Sequence, residues 1–237
     1  KSWKTVQEFN LIERAEEARA DGRIRYIGFS FHDHLDVFKE IVDGYDSWDF
    51  CQIQYNYMDT DFQAGRAGLK YAAERGLGVI IMEPLRGGRL TKDLPALRPI
   101  WATMASELTP ADWALQWLWN QPEVSFVLSG MSTMQHVEEN LASAVASKVG
   151  LLTEEDLKVI AKVRATFESL SPIDCTQCQY CMPCPHGVNI PLNFEVYNRV
   201  AMYDYLKGGK WDYENRIMDA EKAANCIQCE ECLPKCP

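Results

Sequence analysis

The first 150 or so residues alternate between short apolar runs and longer stretches in which apolar residues recur at helical spacing. The short runs are apolar almost throughout, as expected of strands that are covered on both faces. Such an alternation is typical of β-α-β units on a parallel sheet. The pattern predicts four strands, over residues 24–29, 50–55, 79–83 and 125–129.

The same spacing predicts eight helices. Two of them have start signals: Thr109, Pro110 and Asp112 supply a capping hydroxyl, a proline at the first helical position and a carboxylate, and Thr153 with Asp156 repeats the hydroxyl and carboxylate. The glycines and prolines between residues 85 and 108 predict a long loop. The predicted helices cover residues 9–20, 35–43, 66–75, 110–120, 134–144, 154–169, 194–205 and 213–224.

The carboxyl ends of the strands are where ligands bind in parallel β/α folds, so the residues there are candidates for function. Two of these ends carry glycines: Glu83 is followed by Gly87 and Gly88, and Gly130 comes shortly before a predicted helix. Backbone amides at such turns can hold a phosphate, although such glycines also serve the turn alone. Glu83 itself either contacts a ligand or anchors the loop.

Eight of the nine cysteines fall within residues 175–236, in steps of CxxC, and a proline follows each of two runs. Three thiolates at this spacing can bind three irons of a cubane, while the fourth reaches the other cluster in two-cluster ferredoxins. We therefore predict two [4Fe-4S] clusters with a crossed fourth ligand. One cluster takes Cys175, Cys178, Cys181 and Cys236, and the other takes Cys226, Cys229, Cys232 and Cys184.

Two features of the sequence bear on this pairing but not on the number of clusters. The first run has only Met182 and Pro183 before its last cysteine, and 41 residues separate the two runs. Structural zinc is the alternative for CxxC pairs, but zinc ribbons use two pairs without a third and fourth cysteine in each run. Disulfide bonds are a weaker alternative than zinc. Cys51, the ninth cysteine, lies in a predicted strand and is expected in the core.

Charge and composition exclude some classes of partner. The 34 acidic side chains exceed the 24 basic ones and give a net charge of −10, which opposes binding to nucleic acid. We find no apolar run of transmembrane length and no secretory leader, so we expect no membrane association and a cytoplasmic location. An acidic surface suits a redox partner with a basic patch.

Several motifs together resemble the aldo-keto reductase family, over residues 1 to about 145. The resemblance is closest to the branch in which a ferredoxin-like domain follows the barrel. It implies the C-terminal half of a (β/α)8 TIM barrel over residues 1–150, a connecting helix over 151–174 and a mainly helical two-cluster iron-sulfur domain over 175–237. The matching segments are residues 25–33, 52–56, 83–85, 130–132 and 138–140.

The resemblance also implies a site for NADP or NAD. The carboxamide of the nicotinamide would contact Ser30 and Gln52, the pyrophosphate would contact Leu85 and Gly87, and the adenine would contact Glu139 and Asn140. The family's tetrad of Asp, Tyr, Lys and His lies on its first four strands. The matched strands resemble the fifth to eighth, so the resemblance places no catalytic residue in this chain.

Four positions depart from the family's pattern: Phe31 replaces Asn, Met82 replaces the stacking Tyr, and Gly130 and His136 replace the Lys and Arg of NADPH-preferring members. The loss of two cations weakens the expectation of NADPH binding. Because four strands cannot close a barrel, we expect a segment of the natural protein to be absent from this chain.

Two functions remain open at this point. The first is an iron-sulfur oxidoreductase in which a nicotinamide-dependent carbonyl or alcohol site is linked to the clusters and to a redox partner such as a ferredoxin. The second is a non-catalytic electron-transfer or partner-binding module on a barrel scaffold.

Overall fold

A computed structural model describes residues 2–104, 108–175 and 177–236. The chain divides into two compact units. The first, here the α/β unit, comprises residues 1–91 and 104–160, and the second, here the cysteine unit, comprises residues 92–103 and 161–237. The expected domain boundaries at residues 150 and 174 stay a prediction.

Four parallel strands form one sheet in the order β1-β2-β3-β4, which confirms the predicted number and kind of strands in the described ranges. The first strand begins later than predicted, because the backbone N–H of Ile27 donates to the Asp49 carboxylate at 2.7 Å instead of to a neighbouring strand. A Cβ at Gly28 would lie 2.5 Å from the Phe50 carbonyl oxygen, so glycine permits this pairing. The strands are β1 Gly28–Ser30, β2 Phe50–Gln54, β3 Gly78–Met82 and β4 Phe126–Val127.

The predicted helices are present in most places. Both predicted start signals are confirmed: Thr109 and Asp112 form a capping box, and Thr153 and Asp156 make the same contacts. The helices are α1 Ser2–Glu8, α2 Leu11–Ala20, α3 Leu35–Asp43, α4 Gly65–Ala73, α5 Arg98–Trp101, α6 Pro110–Trp119, α7 Met134–Val145, α8 Glu154–Ser169, α9 Ile190–Tyr203 and α10 Leu206–Asn215.

Two local predictions were wrong, and one helix was missed. The predicted helix over residues 213–224 lies earlier, as α10, which packs closely on α9: a Cβ at Gly209 would lie 1.9 Å from the Val200 side chain. The helix α1 was not predicted. The predicted loop over residues 85–108 contains a 3₁₀ turn, Arg89–Thr91, and the short helix α5, while its residues 105–107 lie outside the described ranges.

The apolar core of the α/β unit lies on one face of the sheet. Cys51, Ile53, Val79 and Ile81 are fully buried and alternate with half-buried residues along β2 and β3. Phe38 from α3 belongs to the same cluster and is fully buried as well. The core therefore fixes the strands whose carboxyl ends carry the candidate ligand residues.

The cysteine unit is held by a smaller apolar cluster and by polar contacts. The ring centroids of Phe167 and Tyr203 lie 5.2 Å apart. Asn198 donates to the Ile173 carbonyl at 2.7 Å, and Arg199 pairs with Asp212 at 3.0 Å and also with Glu195. Along the parts of the chain that the structure describes, no helix has the length and apolar character needed to cross a bilayer.

Candidate functional site

A groove of ≈ 790 Å³ opens at the carboxyl ends of β3 and β4. The loop after β3 forms one wall with Leu85, Gly87 and Gly88, and the start of α7 forms another with Glu139 and Asn140. Four of the six predicted nucleotide residues therefore line one cavity. The other two, Ser30 and Gln52, are not among the described residues that line it.

The loop after β3 has an unusual backbone, because four of its six residues have positive φ angles. Glu83 (56°) and Arg86 (50°) are not glycine, whereas Gly87 (63°) and Gly88 (77°) adopt this conformation without steric cost. The left-handed region costs an L-residue about 1 kcal/mol or more. Other contacts must therefore hold Glu83 and Arg86 in place.

The second wall begins with a capped helix. Thr133 accepts a hydrogen bond from the His136 backbone N–H at 3.2 Å at the start of α7. Asn140 donates to the Ser129 hydroxyl at 3.0 Å and so ties the helix to the end of β4. Glu139 is exposed and accepts from Gln135 at 2.7 Å. A helix start beside a glycine loop offers backbone amides to an anion.

Ser30 and Gln52 are brought together by the register of β1 and β2, which pairs these two residues directly. The Gln52 amide lies 3.5 Å from the Ser30 hydroxyl and 3.4 Å from the Met82 sulfur. The predicted carboxamide site is thus a polar pair on the two neighbouring strands.

Sequence reasoning missed a buried polar network beneath the loop after β3. Asp59 is 6% exposed and accepts from Gln54 at 3.0 Å and from Asn56 at 2.9 Å, and Arg86 pairs with it at 3.2 Å. One signal was available in the sequence: Asn56, Asp59 and Thr60 are polar residues in a segment that begins at a buried strand end.

Five of the eight predicted cluster cysteines line a second cavity, of ≈ 260 Å³, in the cysteine unit. Its remaining lining is largely apolar and includes Val188, Ile190 and Phe194. All four members of the second predicted set line it, together with one member of the first. These cysteines are Cys184, Cys226, Cys229, Cys232 and, from the first set, Cys181.

The two cysteine runs share a backbone pattern. In each run, the residue before the second cysteine and the residue after it have left-handed φ angles, and none of the four is glycine. The angles are 57° at Gln177, 63° at Gln179, 59° at Gln228 and 64° at Glu230. The chain thus turns in the same way around Cys178 and Cys229.

The five lining cysteines are spread around the cavity and do not converge on one point. Within the described ranges, no three Cys, His, Asp or Glu side chains lie close enough to hold one metal ion. Burial raises the pKa of Cys181, and the neighbouring Cys175, Cys178 and Cys232 raise it further. Cys232 therefore lies near Cys181, so the two runs approach each other. Binding as a thiolate to iron would offset this unfavourable charge.

The residues of the two sites fit the expected nucleotide and iron-sulfur cluster. The glycine loop and the capped start of α7 suit a dinucleotide phosphate, and an apolar cavity bordered by thiols suits an iron-sulfur cluster. Together the fold and the two sites define a parallel β/α protein joined to a cysteine-rich cluster module.

Both regions match models of known families. Residues 5–165 match the aldo/keto reductase family, and residues 174–237 match a 4Fe-4S dicluster domain. The first match covers more than half of the chain, so the chain belongs to the aldo/keto reductase family. The expected family and the expected fold class are confirmed.

Known proteins are similar over part of their length. L-galactose dehydrogenase of Arabidopsis thaliana is 26% identical, over 68% of this chain and 54% of the relative. The holo form of an aldo-keto reductase from Bacillus halodurans has a TM-score of 0.50 at 22% identity, over 62% of this chain and 53% of that chain. An aldo-keto reductase from Klebsiella pneumoniae in complex with NADPH has a TM-score of 0.50 at 20% identity, over 65% of this chain and 52% of that chain.

These solved structures show the fold alone at such identities. This chain spans about half the length of the proteins it matches. What the whole protein does is therefore a matter for proposal.

Proposed function

We propose that this chain is part of an iron-sulfur oxidoreductase of the aldo-keto reductase type. A nicotinamide nucleotide binds in the groove, the reaction interconverts a carbonyl and an alcohol, and the cysteine unit passes electrons through two [4Fe-4S] clusters to a redox partner such as a ferredoxin. The observation that carries the proposal is that one chain combines a phosphate-suited groove with a thiol-lined cavity.

The bound nicotinamide would supply hydride chemistry, and the clusters would supply one-electron transfer. In the chain itself, Gly87 and Gly88 let the backbone come close to a pyrophosphate, and Leu85 lines the same groove. Glu139 and Asn140 lie where an adenine would contact α7, and Ser30 with Gln52 offers a polar pair for the carboxamide.

The charges of the groove favour a nucleotide without an extra phosphate. The carboxylates of Glu83 and Glu139 line it, His136 is a third ionisable residue there, and none of the described lining residues is Lys or Arg. A 2′-phosphate would meet negative side chains and no Lys or Arg among the described lining residues. NAD(H) is therefore the proposed nucleotide.

The crossed cluster ligation is supported by the second cavity. Cys184 of the first run lies with Cys226, Cys229 and Cys232 around it, which is the set expected when only the fourth ligand crosses between runs. The other proposed set is Cys175, Cys178, Cys181 and Cys236. Replacing Cys184 by Ser should then alter the electron paramagnetic resonance signal of the second run's cluster.

The test uses the full-length natural protein purified without oxygen. NADH and NADPH are titrated separately while tryptophan fluorescence reports binding and visible absorbance reports the clusters. We expect tighter binding of NADH and bleaching of the clusters by it. Absence of binding by both nucleotides would refute the nicotinamide site. Iron analysis below about eight irons per chain would refute two clusters.

A second candidate function, a non-catalytic electron-transfer module, is favoured by one observation. The groove carries two carboxylates and no Lys or Arg among its described lining residues, which weakens attraction for any dinucleotide phosphate. Clusters that exchange electrons with a partner while neither nucleotide binds would favour this alternative.

A further inference from the structure

Asp59 is a buried carboxylate that the proposed chemistry does not use. It lies five residues past the end of β2 and is 6% exposed. A buried charge is costly unless it is paired and hydrogen-bonded, and Asp59 meets this condition with three partners. Gln54 and Asn56 donate to its Oδ2 at 3.0 and 2.9 Å, and the Arg86 guanidinium lies 3.2 Å from its Oδ1.

Asn56 connects this carboxylate to the loop after β3. Its Nδ2 donates to the Glu83 carbonyl at 3.0 Å as well as to Asp59, and it is 1% exposed. Its Oδ1 accepts from the backbone N–H groups of Met58 and Asp59 at 3.0 and 2.9 Å. The Asn56 side chain is thus fixed at both ends, and its orientation is set by the segment that carries Asp59.

The two loop residues that the network contacts are the two with unfavourable backbone angles. Asn56 contacts Glu83, with φ 56°, and Asp59 contacts Arg86, with φ 50°. The Arg86 N–H also donates to the Glu83 carbonyl at 3.0 Å and closes the turn between them. Such angles persist only where surrounding contacts determine them. The adjoining Gly87 and Gly88 line the groove.

We propose that Asp59 is a positioning residue that, with Asn56 and Arg86, holds residues 83–88 in the conformation that receives the nucleotide pyrophosphate. The nucleotide part of this inference rests on the proposed function. Asp59 itself lies beneath the loop and acts through Arg86 and Glu83.

The test compares Asp59→Asn with Asp61→Asn, an exposed neighbour that accepts from Thr60 at 2.9 Å. Amide exchange of residues 85–90 is measured first, without nucleotide. We expect a rise of about tenfold in Asp59→Asn, because hydrogen bonds to a charged group are lost. We expect no change in Asp61→Asn. An unchanged exchange rate in Asp59→Asn would overturn the inference, whatever the nucleotide result.

The second measurement is the Kd for NADH in the wild type, Asp59→Asn, Arg86→Met and the double variant. We expect each single change to raise the Kd about tenfold and the double variant to be no worse than either, because both changes break one pair. Additive effects would contradict the pairing. A purely structural role would lower the melting temperature and leave this Kd unchanged.

The two measurements separate failure of the inference from failure of the proposed function. If the wild type binds neither NADH nor NADPH, the proposed function fails, and the nucleotide role of Asp59 fails with it. Faster loop exchange in Asp59→Asn would then still support the positioning of the loop. If the wild type binds NADH and Asp59→Asn binds it equally well, only the inference fails.

Discussion

The two units form their candidate sites in opposite ways. In the α/β unit, the groove lies at the ends of regular strands whose buried residues, such as Ile53 and Ile81, belong to one apolar core. In the cysteine unit, the thiols lie in irregular backbone with left-handed residues beside Cys178 and Cys229. Cys229 itself is exposed.

The two sites therefore draw their stability from different sources. An apolar core stabilises the strands without a ligand, so the groove is formed before a nucleotide binds. The cysteine runs have little apolar burial of their own, since Ile227 and Leu233 are each 63% exposed. Their conformation is expected to depend on the groups that the thiols bind.

The largest expected effect therefore follows from removing the clusters. When iron is chelated under anaerobic conditions, we expect backbone amides of residues 177–181 and 226–232 to exchange at least about tenfold faster, because metal binding and local folding are coupled. Amides of residues 50–54 and 78–82 should change little. Hydrogen exchange with mass spectrometry measures both regions in one sample. Equal loss of protection in the strands would abolish the distinction between the units.

The next largest effect concerns the ion pairs of the cysteine unit. The Arg199 side chain is 16% exposed and pairs with Glu195 and with Asp212, whose side chain is 9% exposed. Arg199→Ala should destabilise this unit by about 2 kcal/mol, because the buried Asp212 carboxylate loses its closest partner and keeps the longer ion pair with Arg216, at 3.7 Å.

Urea unfolding of the holoprotein measures this change. Arg98→Ala is the matched control in the same unit, since its pair with Asp93 is well exposed, at 64% and 71%. Its removal should cost below about 1 kcal/mol. Equal effects of the two changes would show that ion-pair burial does not decide stability here.

A smaller effect is expected at the start of α6 in the α/β unit. Thr109→Ala removes the hydroxyl that accepts from the Asp112 N–H at 3.2 Å and should cost about 1 kcal/mol. Thr109→Ser keeps the hydroxyl and should restore most of the loss. The free energy of unfolding from denaturant titration checks both variants, and a neutral Thr109→Ala would mean that the cap is dispensable.

The smallest effect concerns Cys51, the cysteine of β2. Burial raises the pKa of its thiol to about 12 from 9.0. The neutral thiol is therefore favoured by folding, and this contribution to stability is complete below pH 9 and falls as the pH rises towards 12. After cluster removal, a thiol reagent at pH 8 should modify the eight other cysteines and leave Cys51 unmodified. Rapid modification of Cys51 in the folded protein would contradict its burial.

Local chemistry explains what could be predicted from the sequence. The apolar runs placed all four strands, and the capping boxes placed the starts of α6 and α8, since both signals depend on neighbouring residues. The spacing of the cysteines predicted an iron-sulfur module for the same reason, and the family match supports it. The individual ligands and nucleotide contacts stay predictions.

The features that were missed depend on contacts between distant segments. Asp59 and Arg86 are 27 residues apart in the sequence, and the polar residues around Asp59 do not indicate which distant residue it pairs with. The predicted helix over residues 213–224 was misplaced because the position of α10 depends on its close contact with α9, where a Cβ at Gly209 would lie 1.9 Å from the Val200 side chain. Left-handed angles at Gln177 and Gln228 could not be predicted either, because such angles normally favour glycine.

The matching left-handed residues also make each cysteine run a reference for the other. Gln177 and Gln228 occupy equivalent places before Cys178 and Cys229, with φ angles of 57° and 59°. The same substitution can therefore be made at both positions and its effects compared. The residues after these cysteines differ in charge, since the first run has Gln179 where the second has Glu230. The two runs thus share the backbone angles beside their second cysteine and differ in charge immediately after it.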